Sequence, residues 1–512
     1  MQHRKARTVP TSIFFAQSSF TVLLIVLAFV GPGCGPAPVP APIPKPFADA
    51  QLTVACPDLA WAKELKNRGA VWSARTGAKL EVVAKTLEEV SAADIGIVRT
   101  AEIGKLAQAN MLQPLPSAFR APDHPMKWDT IVDAYRIKNA SWGQTPYALP
   151  ICGDGIVMVY RQDLFDDPAA QEAYRSATGR TLEAPRTWED VASIGKHFTA
   201  KLGKPALPPI PNDGTLLLHQ FQQIAACYDR KPAQFNEIAP TPGNEAANAV
   251  GAQIIATSWQ FHFHGPKHEI ALTSPAFLAA AEWFLSTKEF RPASGDRLAA
   301  LTTGSAVLAP LSLAEVARLP RGSNGVVDGK YGIAAMPGTA IYFDEEGKAK
   351  PGTAGRNSIP FLGGLSWNGV VLKSGKNGEA AWDFLAEIAG VTGSQITLSN
   401  VDLGSGPFRV EHTSEGKDRS WEVYGFDADR TKALSSALRD YAPYSIVNPA
   451  LVLRLPDQDE RIAALEQAIR ATASGSTSPK KAMQRAQQVW QTLDAKAGSE
   501  LPQWHRRATG LD

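Results

Sequence analysis

The sequence predicts an α/β protein of mostly parallel sheets flanked by helices, carried behind an export signal. Three observations lead there. From residue 51 onward, short apolar runs alternate with segments of helical period, and such alternation favours parallel strands joined by right-handed crossovers. The 512-residue chain is too long for one ordinary domain and suits two or three. The first 46 residues have the composition of an address and a tether.

The address comes first. Residues 20–30 are an apolar run, with His3, Arg4, Lys5 and Arg7 upstream and small residues downstream. A charged start, a short apolar core and a small-residue exit make a secretory signal, here residues 1–33. Cys34 follows, and its setting resembles the lipobox of bacterial lipoproteins, in which the thiol takes a lipid. Gly31-Pro32-Gly33 stands where a lipobox has Leu three residues before the Cys. A retained membrane helix is the alternative, but the run is shorter than the roughly 20 residues a bilayer core needs. Residues 34–49 form the tether, with proline at 36, 38, 40, 42, 44 and 46. Alternating proline favours polyproline II, a stiff spacer on the order of 30 Å long.

Composition narrows function. Fifty-two basic and 50 acidic residues give a net charge of +2, and their mixing leaves no basic stripe for nucleic acid. With Cys34 lipidated, Cys56, Cys152 and Cys227 remain. One disulfide can form among them, Cys56–Cys152 being the first candidate. No Cys-x-x-Cys pair or metal-ligand spacing occurs. His262, His264 and His268 have no cysteine or carboxylate partner completing a shell, so neither metal nor cofactor is expected. The 12 tryptophans exceed what a core requires; most are expected to be structural and some to line a site for a ligand with apolar faces.

The folded region opens as strand 52–56, then a helix that Asp58 can cap. Trp61, Leu65, Gly69 and Trp72 share one face of that helix, and Gly77 suits its end. Strands follow at 79–83 and 94–99, then a helix over 101–110. Residues 146–152 lead through Gly153-Asp154-Gly155 into strand 156–161, a first passage between lobes. Thr187 and Asp190 have capping-box spacing. Residues 215–285 read as mostly helical, 304–310 and 331–338 as strands, 363–372 as a glycine-rich crossing and strand, and 378–388 as a helix. Ser478 and Pro479 open a last helix with Ala482, Ala486, Val489, Trp490 and Leu493 as its apolar stripe.

Several of these segments together resemble the family-1 extracellular solute-binding proteins of bacterial ABC importers, sugar-binding type. They include ADIGIVRTAEIGKLAQANMLQPLP (93–116), PYALPICGDGIVMVYRQDLF (146–165), RTWEDV (186–191), IPFLGGLSWNGVVLKSGKNGEAAWDFLAEIA (359–389), GSGPFR (404–409) and SPKKAMQRAQQVWQTL (478–493). The resemblance implies a two-lobed periplasmic-binding-protein-like fold of type II with a ligand cleft at the hinge. It places crossings near Gly153, Ala309 and Val370. The N-terminal lobe would be 50–153 plus 306–369, and the C-terminal lobe 154–305 plus 370–512. It implies a monomer, not an enzyme, that binds a small solute such as a carbohydrate and passes it to ABC permease subunits. The protein would sit in the periplasm or at the cell surface, anchored to a membrane through Cys34. A glycoside hydrolase-like enzyme using Asp58 and Asp154, or a surface sensor or adaptor on the same fold, are the alternatives.

A sugar offers hydroxyl edges, which carboxylates and amides hold, and C–H faces, which indoles cover. Pockets of this kind lie beyond the carboxyl ends of parallel strands. Asp58 can hold a hydroxyl or cap its helix; Trp61 can stack on ligand or fill the core. Arg99 and Thr100 end the third strand. Asp154 lies in the hinge, as ligand contact or turn former. Ser366, Trp367 and Asn368 sit at another crossing, with Trp367 the first stacking candidate and Trp259 the second. Arg409 matches a family position near the cleft or makes a surface ion pair. Where sugar-binding relatives place an aromatic after strand 306–309, this chain has Leu311-Ser312-Leu313.

Overall fold

The computed structural model describes residues 45–90, 92–233, 261–265, 267–320, 330–414, 418–441 and 446–510. The leader, Cys34, the proline run up to Pro44 and Trp259 lie outside the described residues. None of the described helices is long and apolar enough to cross a membrane.

Strand β1 (Gln51–Ala55) feeds helix α1 (Leu59–Thr76). Asp58 caps it, its Oδ1 accepting the Trp61 N–H at 3.0 Å. Trp61, Leu65, Gly69 and Trp72 all face the core, and Gly77 ends the helix in the left-handed region at φ 84°. Strands β2 (Lys79–Val83), β3 (Ile95–Arg99), β4 (Ala148–Cys152) and β5 (Ile156–Arg161) follow. Helix α2 (Trp188–Leu202) starts with the Thr187–Asp190 capping box. Next come α3 (Gly214–Asp229), α4 (Pro275–Ser286), β6 (Leu308–Ser312), β7 (Tyr331–Ala334), β8 (Trp367–Val371) and α5 (Gly378–Ala389). The chain ends in α6 (Ala428–Tyr441), α7 (Gln458–Ala473), α8 (Pro479–Ala497) and α9 (Leu501–Thr509). In α8 the buried stripe is Ala482, Met483, Ala486 and Trp490, while Val489 is exposed.

Two sheets organise the body. The first has the order β2-β1-β3-β8-β4, with β1, β2 and β3 parallel and β8 antiparallel to both its neighbours. The second is β6-β7 on either side of β5, all antiparallel pairs. Helix α5 packs on β4 and β8; α6 packs on β7 and β5; α7 and α8 pack on each other and on α4.

The pairing shows which sheet each of two apolar strands joins. Strand 308–312 belongs to the second sheet, paired with β5, and not to the first. Strand 367–371 lies wholly in the first sheet, and α5 covers it there. The Gly153-Asp154-Gly155 segment meets 404–407 through an isolated bridge between Gly153 and Gly406. Both strands are mostly buried runs rich in apolar residues. Such runs announce burial on two faces but not which sheet receives them. Glycine is required at 406 because a Cβ there would collide with the Asp154 carbonyl.

The disulfide candidate is corrected. Cys56, Cys152 and Cys227 are free and buried. Strands β3 and β8 lie between β1 and β4, which puts Cys56 and Cys152 roughly 14 Å apart at a strand spacing of about 4.8 Å. A disulfide bridges Cα atoms only up to about 7 Å.

Candidate functional site

Because β8 runs against β3 and β4, its first residue meets their carboxyl ends: Trp367 lies opposite both Arg99 and Cys152. One edge of the first sheet therefore gathers Asp58, Arg99, Thr100, Asp154, Ser366, Trp367 and Asn368.

Arg99 is the centre of this edge. Its Nη1 donates to the Leu365 carbonyl at 2.6 Å, and its guanidinium lies 3.6 Å from the Trp367 ring centroid. Such a stack strengthens as water is removed. Burial lowers the Arg99 pKa, and nearby acidic groups, Asp58, Asp213 and Asp154 among them, pull it back up. Asp213 is the group the sequence reading missed. It caps α3, its Oδ1 accepting the Leu216 N–H at 3.0 Å, and it brings a carboxylate from the start of α3 into the field of Arg99. The pattern Asp213-Gly214-Thr215 before an apolar run signals a helix start, though not what that start faces.

Thr100, Ser366 and Asn368 form a short hydrogen-bonded chain beside the arginine's strand end. The Thr100 and Ser366 hydroxyls are 2.7 Å apart, and Asn368 Nδ2 donates to Thr100 Oγ1 at 2.8 Å. All three are buried. They lock β3 to β8 and fix the Trp367 backbone.

Asp154 is a hinge latch. Its side chain is fully buried. The carboxylate accepts from the Tyr135 hydroxyl at 2.8 Å, from the Gly363 N–H at 2.6 Å and from the Leu365 N–H at 2.5 Å. The 153–155 segment is thereby tied to the 363–365 segment. Burial and the Asp154 charge push the Tyr135 phenol well up, so it stays a donor. Asp58 and Asp154, the pair a hydrolase would need, are thus both engaged in holding backbone.

Two expected contacts lie elsewhere. Trp61 is in the core at 1% exposure, on the same buried stripe as Leu65 and Trp72. Arg409 is not at the surface; it is fully buried. It donates to the carbonyls of Ala389, Lys127 and Met126 and to Thr130 Oγ1, at 2.6–3.0 Å. It joins the end of α5 to the 126–130 turn. Burial lowers its pKa to about 10. An ammonium cannot span four acceptors in that plane. Arg409→Lys is expected to cost about 3 kcal/mol of stability, read from urea unfolding; a loss under about 1 kcal/mol would contradict this role.

The histidines take no part here. His262 bonds Gln222 Oε1 at 2.5 Å, and His264 meets Asp229 at 2.9 Å. Among the described residues no group of His, Cys, Asp and Glu is placed to hold a metal ion.

Residues 81–391, more than half of the chain, match the model of a family described as bacterial extracellular solute-binding protein. The chain belongs to this family. It is an exported solute-binding protein by that membership, and the two-lobed α/β fold is of type II. Among solved structures it resembles the maltose-bound MalE3 of T. maritima at 13% identity and a TM-score of 0.60, covering 87% of this chain and all of that one. It also resembles an ABC transporter solute-binding protein of Agrobacterium radiobacter K84 in complex with ribitol, at 17% identity and a TM-score of 0.58, covering 88% of this chain and all of that one. No curated protein sequence matches it. The family and these relatives are binding proteins, not enzymes.

Proposed function

We propose that this solute-binding protein captures a small polyhydroxylated solute, a carbohydrate or a polyol, between its lobes and hands it to an ABC permease. Arg99 carries the reading. A planar cation held on Trp367, with Asp58 on its own lobe and Asp213 on the other, offers paired donors and acceptors for vicinal hydroxyls. Because the guanidinium covers one indole face, the solute meets the arginine's N–H edge rather than bare tryptophan. The maltose and ribitol found in the two similar structures agree with this chemistry. A ligand that bridges Arg99 and Asp213 binds the closed state selectively, and about 5.5 kcal/mol of such preference moves the balance from 1:99 to 99:1. Lipidation of Cys34 would keep the receptor beside its permease, with the proline run as spacer and the folded body monomeric.

Calorimetry against a panel of sugars and polyols tests this. Arg99→Ala is expected to weaken binding about 10- to 100-fold, the value of one or two charge-assisted hydrogen bonds, with the solute recovered unchanged. Release of product from a labelled oligosaccharide, or full affinity in Arg99→Ala, would refute the reading.

A further inference from the structure

A small hollow inside the second lobe, apart from the hinge, has a lining of one chemical kind. Trp188 and Val191 of α2, Leu207 to Pro209, Gln220 of α3, Trp283 of α4, Arg291, Arg297 and the β6 residues Leu308 and Pro310 surround it. Its polar side chains are all donors or amide, and no carboxylate lines it. Arg291 Nε, Arg297 Nε and Trp188 Nε1 are buried without a hydrogen-bond partner. Among the described residues the Gln220 amide also makes no hydrogen bond, although the residue is only 3% exposed.

The charge is equally one-sided. Arg297 spends one end of its guanidinium on Glu315, at 3.2 Å, and on the Pro310 carbonyl. Arg291 has no ion pair among the described residues; its guanidinium rests 4.6 Å from the Trp283 ring centroid and 5.4 Å from that of Phe284. Burial and the like charge of Arg297 lower the Arg291 pKa to about 9. Arg291 is half-buried and has no counter-charge among the described residues, and the unpaired buried donors at its Nε, at Arg297 Nε and at Trp188 Nε1 are costly to leave unmet. One negative ion would relieve both. Space limits its size: the cavity volume is about 10 Å³, near the least that admits one water, so only a bare monatomic ion qualifies and the lining must yield by a few tenths of an ångström to seat it. Phosphate or a sugar acid is too large.

We infer that this hollow is a binding site for a single halide ion, chloride in practice, held by Arg291, Arg297, Trp188 and Gln220. Its ligand is separate from the solute of the hinge. The ion would fasten the 207–209 segment and α2 to β6, and so stiffen the lobe that carries Asp213.

Bromide, which scatters anomalously, is the probe. Crystals of the full chain grown in sodium bromide are expected to show an anomalous peak within about 3.5 Å of the Arg291 and Arg297 Nε atoms. No peak there, with ordered water instead, overturns the inference whatever the variants do. In solution, the full chain in detergent is expected to melt at least about 1 °C higher in sodium chloride than in sodium isethionate at equal ionic strength, because ligand bound only to the folded state raises the midpoint. Arg291→Gln is expected to abolish that difference, and Arg291→Lys to keep part of it. Equal melting in the two salts, or an undiminished chloride effect in Arg291→Gln, counts against the site. Neither readout involves solute binding, so the result stands apart from that of the Arg99 test.

Discussion

Asp154→Ala is expected to lower the stability of this solute-binding protein by about 5 kcal/mol and to abolish tight solute binding. Three donors lose an ionised acceptor: the Tyr135 hydroxyl and the N–H groups of Gly363 and Leu365. Hydrogen bonds to a charged group contribute about 1.5–3 kcal/mol each, and the low end of that range, taken three times, gives the figure. Alanine supplies no substitute, and the site is closed to water, since Asp154 has 0% exposure. Asp154→Asn keeps the shape but turns one acceptor into a donor facing an N–H, so it is expected to recover less than half. The functional loss follows from geometry. Leu365 is the residue whose carbonyl receives Arg99, so freeing the 363–365 segment also frees the arginine. Urea unfolding and calorimetry on the same samples check both parts. A variant less than about 1 kcal/mol below wild type would mean the latch is not what joins the two segments.

How far the sequence revealed this depends on whether a feature is local. The Asp58 cap, the Thr187–Asp190 box, the Gly77 terminus and the stripe of Trp61, Leu65 and Trp72 were all readable, because each depends on residues within two or three helical turns. The carboxyl-end edge was readable for the same reason: Arg99 and Thr100 terminate a strand whatever it pairs with. Sheet membership was not. Segments 308–312 and 367–371 both read as short, mostly apolar strands, and the sheet each joins is decided by a partner strand distant in sequence. Arg409 shows the same limit from the side of a charge. Its neighbours Gly406 and Pro407 suggest a loop, whereas its acceptors are carbonyls at 126, 127 and 389, distant in sequence. Tyr135 could not be found at all, because its partner Asp154 is reached only through the fold.

Acid is expected to unfold the protein steeply below pH 6.5, and histidine sets the slope. His219, His262, His412 and His505 are all buried. Burial lowers the first to about 4 and the other three to about 3. Their hydrogen bonds suit neutral rings: His219 Nε2 lies 2.6 Å from the Tyr441 hydroxyl, and His412 accepts the Phe408 N–H at Nδ1 while its Nε2 faces Ser394 Oγ at 3.1 Å. In the unfolded chain the same rings titrate near 6.5. Between about pH 4 and 6.5 the unfolded state therefore holds more protons, and stability falls as pH falls. Above 6.5 the contribution is complete. Each ring adds a slope of roughly 1.4 kcal/mol per pH unit within the window, so four add roughly 5 kcal/mol per unit. Carboxylates cannot imitate this at pH 5.5, because their ordinary values lie near 4. Proton uptake on urea unfolding at pH 5.5 is expected to exceed about three per molecule, and His412→Gln to reduce it by about one. Uptake near zero would mean that these rings are charged, or hydrated, in the folded protein.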